Sequence, residues 1–192
     1  MRRWKNLGPL VLILILFLLP ITASAQAGSA AKNKPVPSAK WTLMIYIAGD
    51  NNLDTYVISD IETELAATGS NADVSVVALA DREASADWSQ ALLFYIEPGM
   101  LATPETAVAD WGEIDTGDPQ VLIDFVLWTK AHYPAEHYAL SFWNHGWSWR
   151  PGITMRDDTN GGSLNQDEIE AALAAVGPID VIMYDACQMG TI

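Results

Sequence analysis

The sequence predicts an α/β protein, a three-layer sandwich in which helices cover both faces of a mostly parallel sheet. Short apolar runs rich in strand-forming residues alternate along the chain with segments of helical periodicity, and this alternation favours the α/β class. Some runs are apolar at every position, as in strands buried on both faces. Polar residues and glycine directly follow two of the runs, and in such sheets the ligand site lies beyond the carboxyl ends of the strands.

The N-terminal residues have the order of a secretory signal peptide, residues 1–25. A basic segment comes first, residues 10–19 are apolar, and Ala23-Ser24-Ala25 has the small-x-small pattern of a cleavage site. The alternative is a membrane anchor, but a membrane span needs roughly 20 apolar residues and this run is about half as long. Residues 26–40 are predicted to be a flexible leader or pro-segment. The chain is therefore expected to be secreted or extracytoplasmic, without stable membrane association after cleavage.

The first predicted strand covers residues 41–48, an apolar run too short for a buried helix. Asn52 is then predicted to cap a helix that extends to Gly69. Its apolar residues recur at helical spacing: Leu53, Val57, Ile61 and Leu65. Residues 74–80 and 91–96 are predicted to form the second and third strands.

A second helix is predicted to begin at Asp118, with Pro119 in its first turn, and to end before Pro134. Residues 138–143 form the next predicted strand. A third helix, ending at residue 176, follows a capping box made by Asn165 and Glu168. The last predicted strand covers residues 179–184.

The composition restricts the expected partners. The net charge is −14, and loss of the signal peptide removes three basic and no acidic residues, which makes it −17. Such a surface repels nucleic acid and anionic lipid, and it attracts cations and basic polypeptides. An acidic surface with no steering role is an equally good interpretation. A single cysteine excludes an internal disulfide, so Cys187 is either an inert core residue or a reactive thiol.

His145 and Cys187 form the candidate catalytic pair. Each comes just past a predicted strand, so a parallel sheet can bring them to the same edge. An imidazole can remove the proton from a thiol and later return it to the leaving amine. The backbone N–H groups of Gly146 and Cys187 are the candidate donors to the oxyanion that forms during acyl transfer.

The residues around Cys187 resemble a known signature. Caspases carry Gln-Ala-Cys-x-Gly with the histidine about 50 residues upstream, and this chain has Asp-Ala-Cys-Gln-Met-Gly at residues 185–190. Four segments, residues 43–53, 141–147, 156–162 and 180–190, together resemble the clostripain family of caspase-like cysteine peptidases. The resemblance extends from about residue 41 to the C-terminus.

The resemblance implies that residues 41–192 are the N-terminal portion of a caspase-like peptidase domain, whose C-terminal part is missing from this chain. It also implies an exported endopeptidase that uses a Cys187–His145 dyad, requires no cofactor and cleaves after Arg or Lys. Polypeptides with basic residues are the expected substrates. Asp185 matches an acidic residue of the family's substrate pocket, and a carboxylate there can pair with a guanidinium. The alternative role for Asp185 is a strand-end carboxylate that bonds to backbone N–H groups.

Members of the family can mature by cutting themselves between the histidine and the cysteine. Arg150 and Arg156 are the only basic residues in that interval, and each is either an autoprocessing site or an ordinary surface arginine. Some members respond to calcium, so Ca²⁺ is a possible ligand of this chain as well. Residues 157–168 match a calcium loop only weakly, with Thr159 and Gly161 at positions 3 and 5. The sequence therefore assigns no metal ligand.

Two other classes of function are open. One is a truncated, inactive secreted domain of the same fold that acts in binding, with Cys187 as a relic. The other is a hydrolase that uses Ser or Asp, but the sequence shows neither a Gly-x-Ser-x-Gly elbow nor paired carboxylates at strand ends. The intact His145 and Cys187 favour the peptidase over both. The sequence indicates no oligomeric state.

Overall fold

Six strands and four helices make up the described part of the chain, residues 38–148 and 154–190 of a computed structural model. The strands are β1 (Ala39–Gly49), β2 (Val74–Arg82), β3 (Leu92–Tyr95), β4 (Ala109–Asp110), β5 (Ala135–Trp143) and β6 (Val181–Asp185). The helices are α1 (Asp54–Ser59), α2 (Ala66–Thr68), α3 (Pro119–His132) and α4 (Gln166–Val176), and a π-helical segment, Asp60–Leu65, joins α1 to α2. The predicted signal peptide lies outside the described residues, as does the predicted leader up to residue 37.

The strands form one sheet in the order β4-β3-β2-β1-β5-β6. β1 pairs in parallel with both β2 and β5, and β5 pairs in parallel with β6. β3 and β4 pair antiparallel beside β2. The prediction of an α/β fold around a mostly parallel sheet is thus confirmed, and the carboxyl ends of β2, β1, β5 and β6 meet at one edge.

Each face of the sheet carries its own hydrophobic core, because successive side chains of a strand point to opposite faces. On one face Tyr46 of β1 packs with Phe125 of α3, their ring centroids 5.7 Å apart, and Ile169 of α4 joins the same cluster. On the other face Ile47 of β1 clusters with Val57 of α1. Both faces of the central strands are therefore covered, which explains why their sequences are apolar at every position.

Both longer helices begin where the sequence predicts. Asp118 accepts a hydrogen bond from the Gln120 N–H at 2.8 Å, with Pro119 in the first turn of α3. Asn165 and Glu168 form the reciprocal capping box in front of α4. Among residues 38–148 and 154–190, no helix is long and apolar enough to cross a membrane.

Strand boundaries differ from the prediction. β2 extends to Arg82, β3 is one residue shorter at each end, and β5 begins at Ala135 rather than at residue 138. β1 begins at Ala39, inside the predicted leader, because the N–H groups of Ala39 and Lys40 donate to the Pro134 and Asp73 carbonyls at 3.2 and 2.9 Å. β4 was not predicted, since two residues are too few to show a hydrophobic period. β6 begins at Val181 rather than at residue 179. These differences reflect pairing between strands that are distant in sequence.

The segment after β1 also differs. The sequence predicts one α-helix capped by Asn52, but α1 is preceded by Leu53 and its N-terminus has no side-chain cap. Asn51 accepts from the Leu53 N–H at 2.9 Å and forms the turn instead, and the π-helical segment interrupts the helix. The prediction that Asn52 caps this helix is therefore wrong, and its side chain contacts His145.

Candidate active site

The ends of β5 and β6 position the predicted catalytic pair. These neighbouring parallel strands place Trp143 opposite Asp185. His145 and Cys187 each follow two residues later, so the strand register brings them to the same level beyond the sheet. The Asn144 N–H donates to the Asp185 carbonyl oxygen at 3.3 Å, which continues the pairing past the end of β5.

Gly146 allows the histidine and cysteine segments to lie against each other. A Cβ atom at this position would come within 2.5 Å of the Cys187 carbonyl oxygen, 2.7 Å of the Met189 Cγ and 3.0 Å of the Ala186 Cβ. Real Cβ atoms essentially never come as close as the first two distances. The absence of a side chain is therefore what brings the backbone beside His145 into contact with the cysteine loop, while the Cys187 thiol stays exposed.

The His145 ring is oriented by Asn52. The ring Nε2 lies 2.9 Å from the Asn52 Oδ1. An amide oxygen can only accept a hydrogen bond, so this contact places the proton of the neutral ring on Nε2. Nδ1 is then the nitrogen that can act as a base. The sequence predicts a helix cap at Asn52 instead, because its contact with His145 spans 93 positions of the chain and leaves no local signal.

Two buried asparagines fix the backbone around His145. The Asn144 Nδ2 donates to the Ala48 carbonyl at 2.7 Å and to the Arg156 carbonyl at 3.1 Å, and its Oδ1 accepts from the His145 N–H. The Asn51 Nδ2 donates to the same two carbonyls, at 2.9 Å each. These bonds tie β1, β5 and the loop that contains Arg156 into one unit.

The remaining predicted site residues lie at the same edge or outside the described chain. Asp185 is exposed, and its carboxylate makes no hydrogen bond or ion pair with the described residues. Of the two candidate processing sites, Arg156 forms an ion pair with Asp158 at 2.6 Å. Arg150 lies outside the described residues.

A second polar group lies beyond the ends of β1 and β2. Asp50, Asp81, Glu113 and Asp157 each offer a carboxylate oxygen, and these four oxygens all lie within 4.8 Å of one another. The prediction that no paired carboxylates lie at strand ends is wrong: Asp50 follows β1 directly and Asp81 lies near the end of β2. The available signal was Asp81 near the end of an almost wholly buried β2, since a buried Asp needs a partner.

The electrostatics of this group follow from burial and from mutual repulsion. Burial is the main cause that raises the pKa of Asp81 to about 9, and the charges of Asp157, Glu113 and Asp50 add to it. Burial also raises the pKa of Asp50 and of Glu113, again with contributions from the neighbouring carboxylates. Burial and mutual repulsion therefore favour the protonated form of Asp81 and make full ionisation of all four side chains unfavourable.

An α/β sandwich with a histidine and a cysteine beyond the ends of adjacent strands is the arrangement of caspase-like cysteine peptidases. Residues 45–192 match the sequence profile of the clostripain family, and this chain belongs to that family. It is 30% identical to clostripain of Hathewaya histolytica, in a match that covers 83% of this chain and 35% of clostripain. The chain thus spans about a third of the length of that relative.

Solved structures with the same fold include two proteases of the group called C11. A secreted cysteine protease from Bacteroides thetaiotaomicron, in complex with an irreversible peptide inhibitor, matches with a TM-score of 0.65 and 24% identity, over 80% of this chain and 44% of that one. An inactive zymogen from Parabacteroides distasonis matches with a TM-score of 0.60 and 24% identity, over 79% and 43%. The predicted caspase-like fold is confirmed.

Proposed function

We propose that this protein is an exported cysteine endopeptidase that cleaves polypeptides after Arg or Lys. The observation that carries the proposal is the placement of His145 and Cys187 beyond adjacent parallel strands in a chain of the clostripain family. The exposed thiol supports it, because a nucleophile must be reachable by substrate.

The first half of the reaction forms an acyl-enzyme. His145 takes the thiol proton on Nδ1, and the Cys187 sulfur attacks the carbonyl carbon of the scissile bond. Negative charge moves to the carbonyl oxygen, where the N–H groups of Gly146 and Cys187 can stabilise it. Neither N–H donates to another described residue, so both are free for this role. The C–N bond then breaks as the imidazolium returns its proton to the leaving amine.

The second half releases the product. His145 removes a proton from water, the hydroxide attacks the thioester carbon, and the C–S bond breaks as Cys187 leaves as a thiol or thiolate. Every proton and charge in both halves is handled by protein groups. The dyad chemistry itself therefore requires no cofactor.

Specificity for a basic residue rests on Asp185. Its exposed carboxylate belongs to the last residue of β6, two residues before Cys187, and lacks a partner among the described residues. A guanidinium can pair with such a group bidentately, whereas an ammonium can only approach as a point charge. This difference supports a preference for Arg over Lys. The net charge of −14 favours the approach of basic polypeptides.

The proposal is tested with peptide reporters that end in Arg, Lys or Ala, hydrolysed by the protein expressed from its complete gene. Cleavage after Arg should disappear in Cys187→Ala and His145→Ala. Asp185→Asn should lose most of the preference for Arg over Ala while it retains reaction with a small thiol-directed inhibitor. A folded wild-type protein that cleaves none of the reporters would contradict the proposal and favour the binding domain.

Self-cleavage, if it occurs, is expected after Arg150 rather than after Arg156. The Arg156 carbonyl accepts hydrogen bonds from both Asn51 and Asn144, so a peptidase could reach that peptide bond only after local opening. Gel analysis of wild type, Arg150→Ala and Arg156→Ala decides between the sites. Loss of the cut in Arg156→Ala alone would contradict the assignment, and an intact but active chain would show that processing is not obligatory.

A further inference from the structure

The last residue of β5, Trp143, has a buried indole. It is 8% exposed and belongs to the cluster of Ile47, Val57 and Ile61 on the face of the sheet that α1 covers. The indole N–H can only donate a hydrogen bond, and it donates to the Asp60 Oδ2 at 2.9 Å. Because a buried donor without an acceptor is unfavourable, this contact fixes the position of the Trp143 ring.

Asp60 receives hydrogen bonds on both of its carboxylate oxygens. The Ser59 hydroxyl donates to Oδ1 at 3.2 Å, while the indole N–H donates to Oδ2. Asp60 is half-buried and is the first residue of the π-helical segment, in which the Ala66 N–H donates to the Ile61 carbonyl. π-Helical turns are rare and occur frequently at functional sites, which points to a role for this segment beyond packing.

The helix that carries Asp60 is anchored at two further points. Asp54 of α1 forms a buried ion pair with Arg82, the last residue of β2, through two hydrogen bonds of 2.8 Å. The Glu62 Oε1 accepts from the Ala102 N–H at 2.9 Å. The segment is therefore held in place by the rest of the protein, and it offers the indole an acceptor whose position is fixed.

Trp143 connects this acceptor to the proposed active site. It lies opposite Ile47 of β1 and Asp185 of β6 in the strand pairing, and His145 follows two residues later. A movement of Trp143 therefore changes the path of the backbone that carries His145. Because the cysteine loop follows β6, the same movement alters the position of the imidazole relative to the Cys187 thiol.

We propose that Asp60 is a positioning residue that holds the base of the active site in place through the Trp143 indole. The inference rests on the proposed peptidase reaction, in which His145 takes the proton of the Cys187 thiol. Among the described residues, the side chain of Asp60 bonds to Ser59 and Trp143, so it acts on the dyad through the indole. Its loss should lower kcat and leave KM nearly unchanged, because the displaced group is the base and not a group that binds substrate.

Steady-state kinetics of the protein from its complete gene, with an Arg reporter, tests the assignment. Asp60→Ala should lower kcat by at least about fivefold, within the roughly 100-fold that misplacement of a catalytic group by about 1 Å can cause. Asp60→Asn retains an oxygen that accepts from the indole and should restore most of the rate. Glu64→Ala is the matched control, since it removes the same charge from an exposed position of the same segment and should leave kcat unchanged.

A double-mutant cycle separates positioning from a general loss of stability. Trp143→Phe removes the indole N–H and should itself lower kcat. In the Trp143→Phe background, the further change Asp60→Ala should alter kcat by less than about twofold, which is the non-additivity expected of residues in contact. Full additivity of the two effects would overturn the proposal. If Asp60→Ala does not fold, Trp143→Phe alone must lower kcat with KM unchanged.

The alkylation rate of Cys187 with iodoacetamide at neutral pH is a second readout, and it requires no peptide substrate. The thiolate is the reacting form, so a correctly placed His145 should raise the rate above that of His145→Ala. Asp60→Ala should lose most of this increase, whereas Asp60→Asn and Glu64→Ala should keep it.

The two readouts distinguish failure of this inference from failure of the proposed function. A wild-type protein that cleaves no reporter, but whose alkylation depends on Asp60 as expected, would support the positioning role and contradict the peptidase. A folded Asp60→Ala protein with the kcat and the alkylation rate of wild type would overturn the positioning role and leave the proposed peptidase function standing. A wild-type alkylation rate no higher than that of His145→Ala would also overturn the positioning role.

Discussion

At the scale of single residues, the tautomer of the His145 ring is set by the side-chain amide of Asn52, which lies just past the end of β1. The Asn52 Oδ1 is a fixed acceptor 2.9 Å from Nε2, so it selects the tautomer whose Nδ1 is basic. Asn52 does not touch the reacting atoms in the proposed reaction. It is a positioning residue that acts through the ring.

Asn52→Ala is expected to lower kcat about fivefold and leave KM nearly unchanged, because a net hydrogen bond contributes about 1 kcal/mol and 1.36 kcal/mol corresponds to tenfold in rate. Steady-state kinetics on an Arg reporter measures both constants, and the pH profile of kcat should change with the lost contact. Asn52→Asp, which keeps an oxygen acceptor, should restore most of the rate. A kcat for Asn52→Ala equal to that of wild type would show that the contact does not orient the base.

At the scale of elements, the active edge is an extension of the β5–β6 pairing. The strand register aligns His145 with Cys187. Because Gly146 has no side chain, the cysteine loop can pack against it. Register between parallel strands is decided by burial of their side chains. The same packing that buries Leu140 and Phe142 of β5 therefore also sets the spacing of the dyad.

Gly146→Ala should lower kcat/KM by about 100-fold, since misplacement of a catalytic group by about 1 Å can have that effect. The added Cβ would force the Cys187 carbonyl and Ala186 away from the histidine segment. Gly190→Ala is the matched control in the same loop, because a Cβ there meets no atom within 4 Å, and it should keep activity near that of wild type. Equal activities of the two variants would contradict the close packing described at Gly146.

The start of β6 is held by a charged contact with β5. Asp180 accepts from the Tyr138 N–H at 2.8 Å and lies 3.2 Å from the His137 Nδ1. The Tyr138 N–H is the main cause that lowers the pKa of Asp180, and His137 adds to it. A carboxylate whose pKa falls on folding contributes stability above its ordinary pKa, and that contribution is lost as the pH falls through the folded value.

Asp180→Asn should therefore destabilise the protein near neutral pH, and its effect should shrink as the pH falls below the ordinary pKa of Asp towards the lowered pKa of Asp180. Urea midpoints measured from pH 7 to pH 3 test this dependence. The control is Glu170→Gln, which also removes one negative charge. The Glu170 carboxylate is exposed in α4 and makes no hydrogen bond with the described residues. A difference between wild type and Asp180→Asn that grows as the pH falls would show that the charge is not stabilising.

At the scale of the whole molecule, charge is the dominant feature outside the fold. The chain contains 24 acidic and 10 basic residues, and part of this negative charge lies at the carboxyl edge of the sheet, where Asp185 and the acidic group are found. For the proposed substrates, such a field would raise the local concentration of basic polypeptides near the thiol.

We expect kcat/KM for an Arg reporter flanked by Lys to fall more steeply with salt than kcat/KM for the same reporter flanked by Ser. The physical reason is screening, because the Debye length falls from about 10 Å at 0.1 M salt to about 3 Å at 1 M. Initial rates in sodium chloride up to about 1 M measure both substrates. Parallel salt curves for the two reporters would show that the net charge does not steer the substrate.

Sequence patterns alone predict the fold class, the helix starts at Asp118 and Asn165, and the positions of His145 and Cys187 just past two strands. These features depend on neighbours in the chain: apolar periodicity, capping residues and the glycine after the histidine. Folding establishes the β5–β6 register, the contact of Asn52 with His145, and the meeting of the four carboxylates, none of which was predicted. Those contacts join segments separated by tens of residues, and local periodicity carries no signal for which strand ends become neighbours.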